Sequence, residues 1–244
     1  MLYFILGFGL FMTLFPRILT EENAPQLLSG FNTLSKDEQA QVDLRGLLKA
    51  MRDFHLKVGG ISTLVALVFY FLNWKDAGML TVTFGPIVGY FYLIPRMQNF
   101  YGTQNKSYQN QVKVGVSILA AVVIAVGILL GYGYQDNTLK ITPDQLEFTG
   151  IYGLRLSKNQ VVGMRQVDQL PEITRRLNGF ATQHMLKGKF RDASGKKVHL
   201  ILNNRKGPYL EIQRAKKPRV YFSLGENARS VLQTLQSSGW SLAD

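Results

Sequence analysis

The side chains in this chain that could do chemistry are cations. Arg175 and Arg176 stand beside Asn178-Gly179, and Lys187, Lys189 and Arg191 alternate along one run. Lys196-Lys197, Arg205-Lys206 and Lys216-Lys217 with Arg219 fall where turn residues cluster. Alternate residues of a strand share a face, so Lys187, Lys189 and Arg191 are expected to point the same way. The chemistry implied is binding: each cation near an anionic surface contributes roughly 1 kcal/mol, so three or four orient a domain without anchoring it. Arg175, Arg176, Lys187, Lys189, Lys196, Lys197, Lys216 and Lys217 are therefore the candidate anion- or lipid-facing residues. A solvated, solubilising surface explains the same charges, and the pattern alone leaves both readings open.

Bond-making chemistry finds no constellation. His55, His184 and His199 are scattered, without the spacing of metal ligands. His55 reads as a helix-end residue. Asp168 and Glu172 lie four apart near a Leu-Pro turn, but a catalytic carboxylate pair needs a pocket that the pattern does not reveal. There is no P-loop, nucleophile elbow or dinucleotide fingerprint, and no cysteine for a disulfide or thiolate metal site. The expectation is a non-enzymatic protein with no catalytic residue, cofactor or metal.

The elements that must position the cations divide sharply by charge. From Asn137 onward the chain has 18 Lys and Arg against 8 Asp and Glu, so most of the net charge of +12 lies there. Residues 114 to 135, between Lys113 and Asp136, form a charge-free stretch of 22, about the length that crosses a bilayer as a helix. Further windows without a charged side chain lie at 1–16, 58–74 and 77–95. They predict four membrane helices, at about 2–19, 58–74, 77–95 and 113–135. Asn73-Trp74-Lys75-Asp76 closes a hairpin, and Trp74, Tyr90 and Tyr92 suit the interfacial belt. Ser35 with Glu38 forms a capping box, so a separate amphipathic helix is expected over 36–55. Residues 1–112 thus form a membrane domain, followed by the fourth helix and a domain over 138–240.

Gly127 and Gly131 make a G-x-x-x-G pattern, and Ser117, Ala121 and Ala125 add a row of small residues. Such faces let helices pack closely, either within this chain or in a homo-oligomer. The link 17–57 has six Lys and Arg, the link 96–113 has three and the hairpin has one. The positive-inside rule puts the two basic links in the cytoplasm and the C-terminal domain outside. The basic domain itself would suit the inner leaflet, but long domains translocate largely regardless of charge.

From Thr138 the period becomes two, with strands near 139–141, 146–149, 152–156, 160–166, 185–190, 197–202, 209–213 and 219–223. Asn178-Gly179 reads as a turn, and ARSVLQTLQ as a final helix with one apolar face. The pattern predicts a small antiparallel β barrel or sandwich closed by a C-terminal helix. The run ITPDQLEFTGIYGLRLSKNQ…RRLNGF…LKGKF…VYFSL…ARSVLQTLQ over 138–238 resembles bacterial pleckstrin-homology-like (PH-like) domains. LLSGFNTLSKDEQ, with Gly30, Asn32, Thr33 and Ser35, is similar to a G-Y-N-T-x-S signature of small bacterial membrane proteins of unknown function, with Phe31 in place of the tyrosine. These resemblances imply a bacterial cytoplasmic-membrane protein carrying a binding module. The expected partners are the bilayer, anionic lipid head groups or an acidic protein. Nucleic acid is disfavoured by membrane tethering. A small transport or channel subunit is the first alternative, and an envelope enzyme with a site between the two halves is the second.

Overall fold

The computed structural model describes residues 1–28, 30–101 and 106–243, apart from the side chains of 106–108. Backbone contacts divide the chain into two compact units, Met1–Ala125 and Val126–Asp244.

The first unit holds α1 (Leu2–Ile18), two short helices α2 (Ala24–Leu27) and α3 (Lys36–Ala40), then α4 (Leu44–Phe71), α5 (Lys75–Met97) and the start of α6 (Lys106–Tyr134). Three stretches are long and apolar enough to cross a membrane: Leu44–Phe71, Lys75–Phe100 and Gln109–Tyr134. α1 is apolar but has 17 residues. At 1.5 Å per residue it covers about 26 Å, short of a hydrocarbon core of about 30 Å. Among the described residues, three of the four expected spans reach that length, and the first is a shorter apolar helix.

The amphipathic helix expected over 36–55 is not a separate element. The Ser35–Glu38 capping box forms, but its helix ends at Ala40. The Asp43 side chain then accepts from the Gly46 N–H at 2.9 Å and starts α4, which runs unbroken to Phe71. No proline interrupts it, and the apolar face of its first half (Leu47, Leu48, Phe54) leads straight into the charge-free stretch. His55 therefore lies inside a helix and is 2% exposed. Its Nδ1–H donates to the Met51 carbonyl and its Nε2 accepts from the Tyr90 hydroxyl, each at 2.7 Å, because a carbonyl can only accept. It is not a helix end, and its ring also packs edge-on against Tyr90.

The Gly30–Ser35 signature builds a turn. Gly30 adopts φ +89°, and the Thr33 hydroxyl donates to its carbonyl. Gln39 Nε2 donates to the Phe31 and Leu34 carbonyls. Phe31 and Leu34 are thereby buried with Leu19, Leu28, Leu47 and Leu48. α6 joins this cluster at its start, through Val112 and Val116. Further along, Ser117, Ala121 and Ala125 are exposed within the first unit, and Gly127 and Gly131 within the second. Glycines elsewhere make the close helix contacts: Gly9 against Thr63, Gly59 against Met12 and Gly85 against Ser62.

In the second unit β1 (Leu139–Ile141), β2 (Gln145–Phe148) and β3 (Leu154–Ser157) form an antiparallel sheet. β4 (Val161–Val167), β5 (Ile173–Ala181), β6 (Leu186–Asp192), β7 (Lys197–Leu202), β8 (Tyr209–Arg214) and β9 (Lys217–Ser223) form a second sheet, ordered β4-β8-β9-β7-β6-β5. α7 (Ala228–Ser237) follows. The two sheets are separate, so no closed barrel forms among the described residues. The pairing is not wholly antiparallel either: β7 and β9 run parallel. The tight β8–β9 turn, with Lys216 at φ +55°, keeps β9 beside β8. Its other edge then meets β7, two reversals earlier, in the same direction. Leu146, Phe148 and Leu156 of the small sheet pack on Ile201, Leu210, Val220 and Phe222, with Leu235 and Trp240 closing that core. Leu186, Phe190, Val198 and Leu200 form a second cluster, on the opposite side of the large sheet by strand alternation. Each such side chain contributes about 1.5–3 kcal/mol when fully buried.

Candidate functional site

Strand alternation puts Lys187 on the face of Lys189 and Arg191, yet Lys187 does not point outward. It is fully buried, and its Nζ donates to the carbonyls of Gly133 at 3.2 Å and Gln135 at 2.5 Å. The last carbonyls of a helix lack intrahelical partners, and a cation there complements the negative helix end. The end of α6 thus covers this part of the face and takes the ammonium as its cap. Burial pushes the Lys187 pKa down, and the nearby Asp136 carboxylate opposes the shift. Phe180, the cross-strand partner of Lys187, packs edge-on against Tyr134 with ring centroids 5.2 Å apart.

The residues after α6 are equally tied. Asn137 N–H donates to Asn203 Oδ1, and Asn203 Nδ2 donates back to the Asn137 carbonyl, both at 2.8 Å. Asn137 Nδ2 also donates to the Thr149 and Ile151 carbonyls. The motif residues of the β domain serve this joint. The Tyr152 hydroxyl donates to Asn178 Oδ1 at 2.9 Å, and Gly179 pairs directly with Gly188, which adopts φ +120°. Asn178-Gly179 is therefore not a turn. It lies inside β5, the one strand missing from the sequence-based pattern, whose pairing is interrupted by bulges on either side of Arg175-Arg176.

The other cations are gathered by two turns. Asp192 accepts from Ser194 Oγ at 2.7 Å and from the Lys196 N–H at 2.9 Å, which shapes the β6–β7 turn. The Ser194 bond, chiefly, holds the Asp192 carboxyl below its usual range. Across the β8–β9 turn, Arg214 Nε donates to the Pro218 carbonyl at 2.7 Å. Because β7 and β9 are parallel, with Val198 opposite Arg219, both strands start at the same end of the sheet. Lys196-Lys197 and Lys216-Lys217 therefore converge.

Two hollows open at this end. One, of about 520 Å³, has Lys196, Lys197, Lys216, Lys217 and Arg219 in its lining together with Asp192. Its charge is partly compensated, since Arg219 also lies 3.1 Å from the buried Glu211, which Arg165 holds at 2.9 Å. The other, of about 470 Å³, is lined by Lys189, Lys197, His199, Arg214 and Lys217 and by no carboxylate. His199 Nε2–H donates to the Tyr152 carbonyl at 2.7 Å. Burial depresses its pKa against the pull of that bond, and Arg214 and Lys189 depress it further.

Of the expected anion-facing residues, Lys189, Lys196, Lys197, Lys216 and Lys217 line these hollows. Arg175 and Arg176 are exposed on β5 outside both linings, and Lys187 belongs to the joint. The sequence reading missed His199 and Arg214. The alternation of β6 and β7 carries the signal for His199, since it pairs with Lys189 across the strands. In the first unit, a hollow of about 340 Å³ with Asp53, Lys57 and Arg96 in its lining mixes charges of both signs. Among the described residues no three His, Asp or Glu side chains gather as a metal site.

The helices and the β unit together define a multi-pass membrane protein with a β domain directly after its last span. Residues 5–101 match the model of a family described as a domain of unknown function, DUF3784, in agreement with an N-terminal membrane domain. No curated protein matches the chain, and no solved structure does.

Proposed function

We propose that this is a non-enzymatic interaction or scaffold protein of the bacterial cytoplasmic membrane, whose basic PH-like domain engages an anionic surface beside the bilayer. The observation that carries this reading is the convergence of Lys189, Lys196, Lys197, Arg214 and Lys217 at one end of a sheet. That sheet belongs to a domain fastened to the end of α6 by Lys187 and Asn137. Two packed sheets with a helix closing the core support the PH-like assignment. The parallel β7–β9 pair is a departure from a wholly antiparallel plan.

The chain has no cysteine, so a single Ala193→Cys substitution in the exposed β6–β7 turn, which keeps the Ser194 and Lys196 bonds to Asp192, gives a clean probe. With the full chain in lipid discs, a fluorophore there is expected to be shielded from a water-borne quencher when the lipids are anionic. Shielding should fade as salt rises from about 0.1 M to 1 M, where the Debye length falls from about 10 Å to about 3 Å. Equal quenching in neutral and anionic discs would leave a protein partner as the target.

The cations of 17–57 and 96–113, several of them in the first turns of α4 and α6, favour the cytoplasmic side, and the hairpin between α4 and α5 lies across the membrane from them. α1 precedes both links, so the C-terminal domain lies outside whether or not α1 crosses. The same cysteine should react with a membrane-impermeant reagent in intact spheroplasts. Complete protection until lysis would reverse the orientation.

A further inference from the structure

We propose that the hollow between Lys189, Lys197, His199, Arg214 and Lys217 is a discrete binding site for one phosphate-bearing group. The inference rests on the anionic-partner reading of this domain and sharpens it, from a spread of surface charge to one saturable site.

Four observations carry it. The lining brings four cations from four strands into one concavity, with no carboxylate among them. The neighbouring hollow differs in this respect, because Asp192 lines it and Glu211 engages its Arg219. Uncompensated cations facing one concavity repel one another, and a bound anion relieves that repulsion. Second, the cations are positioned: Lys189 is paired to His199 and Lys197 to Arg191 across the β6–β7 ladder. Arg214 is fixed by its bond to the Pro218 carbonyl, which leaves the terminal nitrogens of its guanidinium to bind an oxyanion. Third, His199 donates Nε2–H to the Tyr152 carbonyl, so the neutral ring carries its lone pair on Nδ1. On protonation Nδ1 becomes a fifth donor. Fourth, Leu154 and Pro218 supply an apolar wall, and the volume of about 470 Å³ lies within the range of small-ligand sites. The site therefore suits a phosphate ester with a small organic part better than a bare ion.

Two sources offer that chemistry, a phospholipid head group and a soluble phosphate compound. The test titrates the purified full-length protein with glycerol 3-phosphate and, in parallel, with a water-soluble short-chain phosphatidylglycerol. Calorimetry is expected to show one equivalent of at least one of them bound per chain. Whichever of the two binds identifies the source. Lys189→Gln and Arg214→Gln should each weaken binding roughly tenfold or more, as for loss of one charge-assisted hydrogen bond. The charge-matched pair Arg175→Gln/Arg176→Gln should change it less than about twofold, since it keeps the site and removes exposed charge. Arg214 also holds the Pro218 carbonyl, so its variant is read only if its unfolding midpoint is unchanged. Lys189, an exposed side chain, carries the test if it is not.

A second readout is the titration of the His199 ring followed by NMR. Bound anion should raise its pKa, because a negative neighbour favours the imidazolium. Arg214 and Lys189 oppose that charge in the empty site, while Tyr152 favours it. Absence of saturable binding by either probe overturns the proposal. So does an equal loss in the Arg175/Arg176 pair, with anion-dependent shielding of the Ala193→Cys probe intact. In that case the diffuse anionic-surface reading survives alone. Saturable, site-dependent binding without any shielding in anionic discs would keep the site and remove the lipid surface from the proposed function.

Discussion

Lys187→Met should destabilise the C-terminal unit by about 2 kcal/mol or more and loosen its attachment to the end of α6. The Lys187 ammonium donates to the Gly133 and Gln135 carbonyls from a fully buried position. Hydrogen bonds from charged groups contribute about 1.5–3 kcal/mol each, and a buried acceptor left without a partner costs about 1–3 kcal/mol. Methionine fills similar volume and spares the desolvation of the ammonium, so the net loss falls below the sum of two bonds. Lys187→Glu adds a negative charge at the negative end of a helix and should be worse than Lys187→Met. Urea unfolding followed through buried Trp240, with Trp74 replaced by Phe, reads the effect. Lys189→Met, an exposed change on the same strand, is the control and should shift stability by no more than about 0.5 kcal/mol. Equal midpoints for Lys187→Met and the native chain would show that the cap adds nothing to stability. The same reasoning warns against cutting the domain out at Thr138, which removes the carbonyls that Lys187 needs.

Gly188→Ala is expected to cost about 3 kcal/mol or more, by two mechanisms that a comparison separates. Gly188 sits at φ +120°, and an added Cβ would meet the Asn178 carbonyl and the Gly179 Cα on the adjacent strand. Strain in a rarely populated backbone region costs about 1–3 kcal/mol. The remainder comes from pushing β5 off β6, and β5 also carries Asn178, bonded to Tyr152, and Phe180, packed on Tyr134. Gly195→Ala places the same methyl at φ +80° in open space, so it should show the backbone cost by itself, about 1 kcal/mol. Hydrogen exchange of β5 and β6 in the full chain would show whether the ladder opens. Matching losses at Gly188 and Gly195 would mean that the close approach of the strands is unimportant.

Much of the architecture was legible because it depends on local pattern. Charge-free windows marked the apolar helices, and period-two alternation with turn residues marked eight of the nine strands. α4 was cut short because Arg52, Asp53, His55 and Lys57 look like a break between elements. A helix carries such residues at no backbone cost, and no Pro or cap stands there to stop it. β5 was missed because Asn-Gly is a strong turn signal. Its meaning reverses once Tyr152 and Gly188, 26 and 10 residues away in the chain, supply the contacts.

By itself the sequence determined where the apolar and basic halves divide, which residues are cations and which segments alternate. Those properties are fixed by composition and by periods of two and 3.6 residues, before any long-range contact forms. Only the tertiary structure decided what each cation does. Lys187 and Lys189 are two residues apart on one face, yet the end of α6 covers the first as a buried cap and leaves the second in an open hollow. Lys197 and Lys217 are 20 residues apart and meet because β9 inserts beside β7 in parallel. Strand order is set by which edges pair and which faces bury, and no local window of residues contains that information.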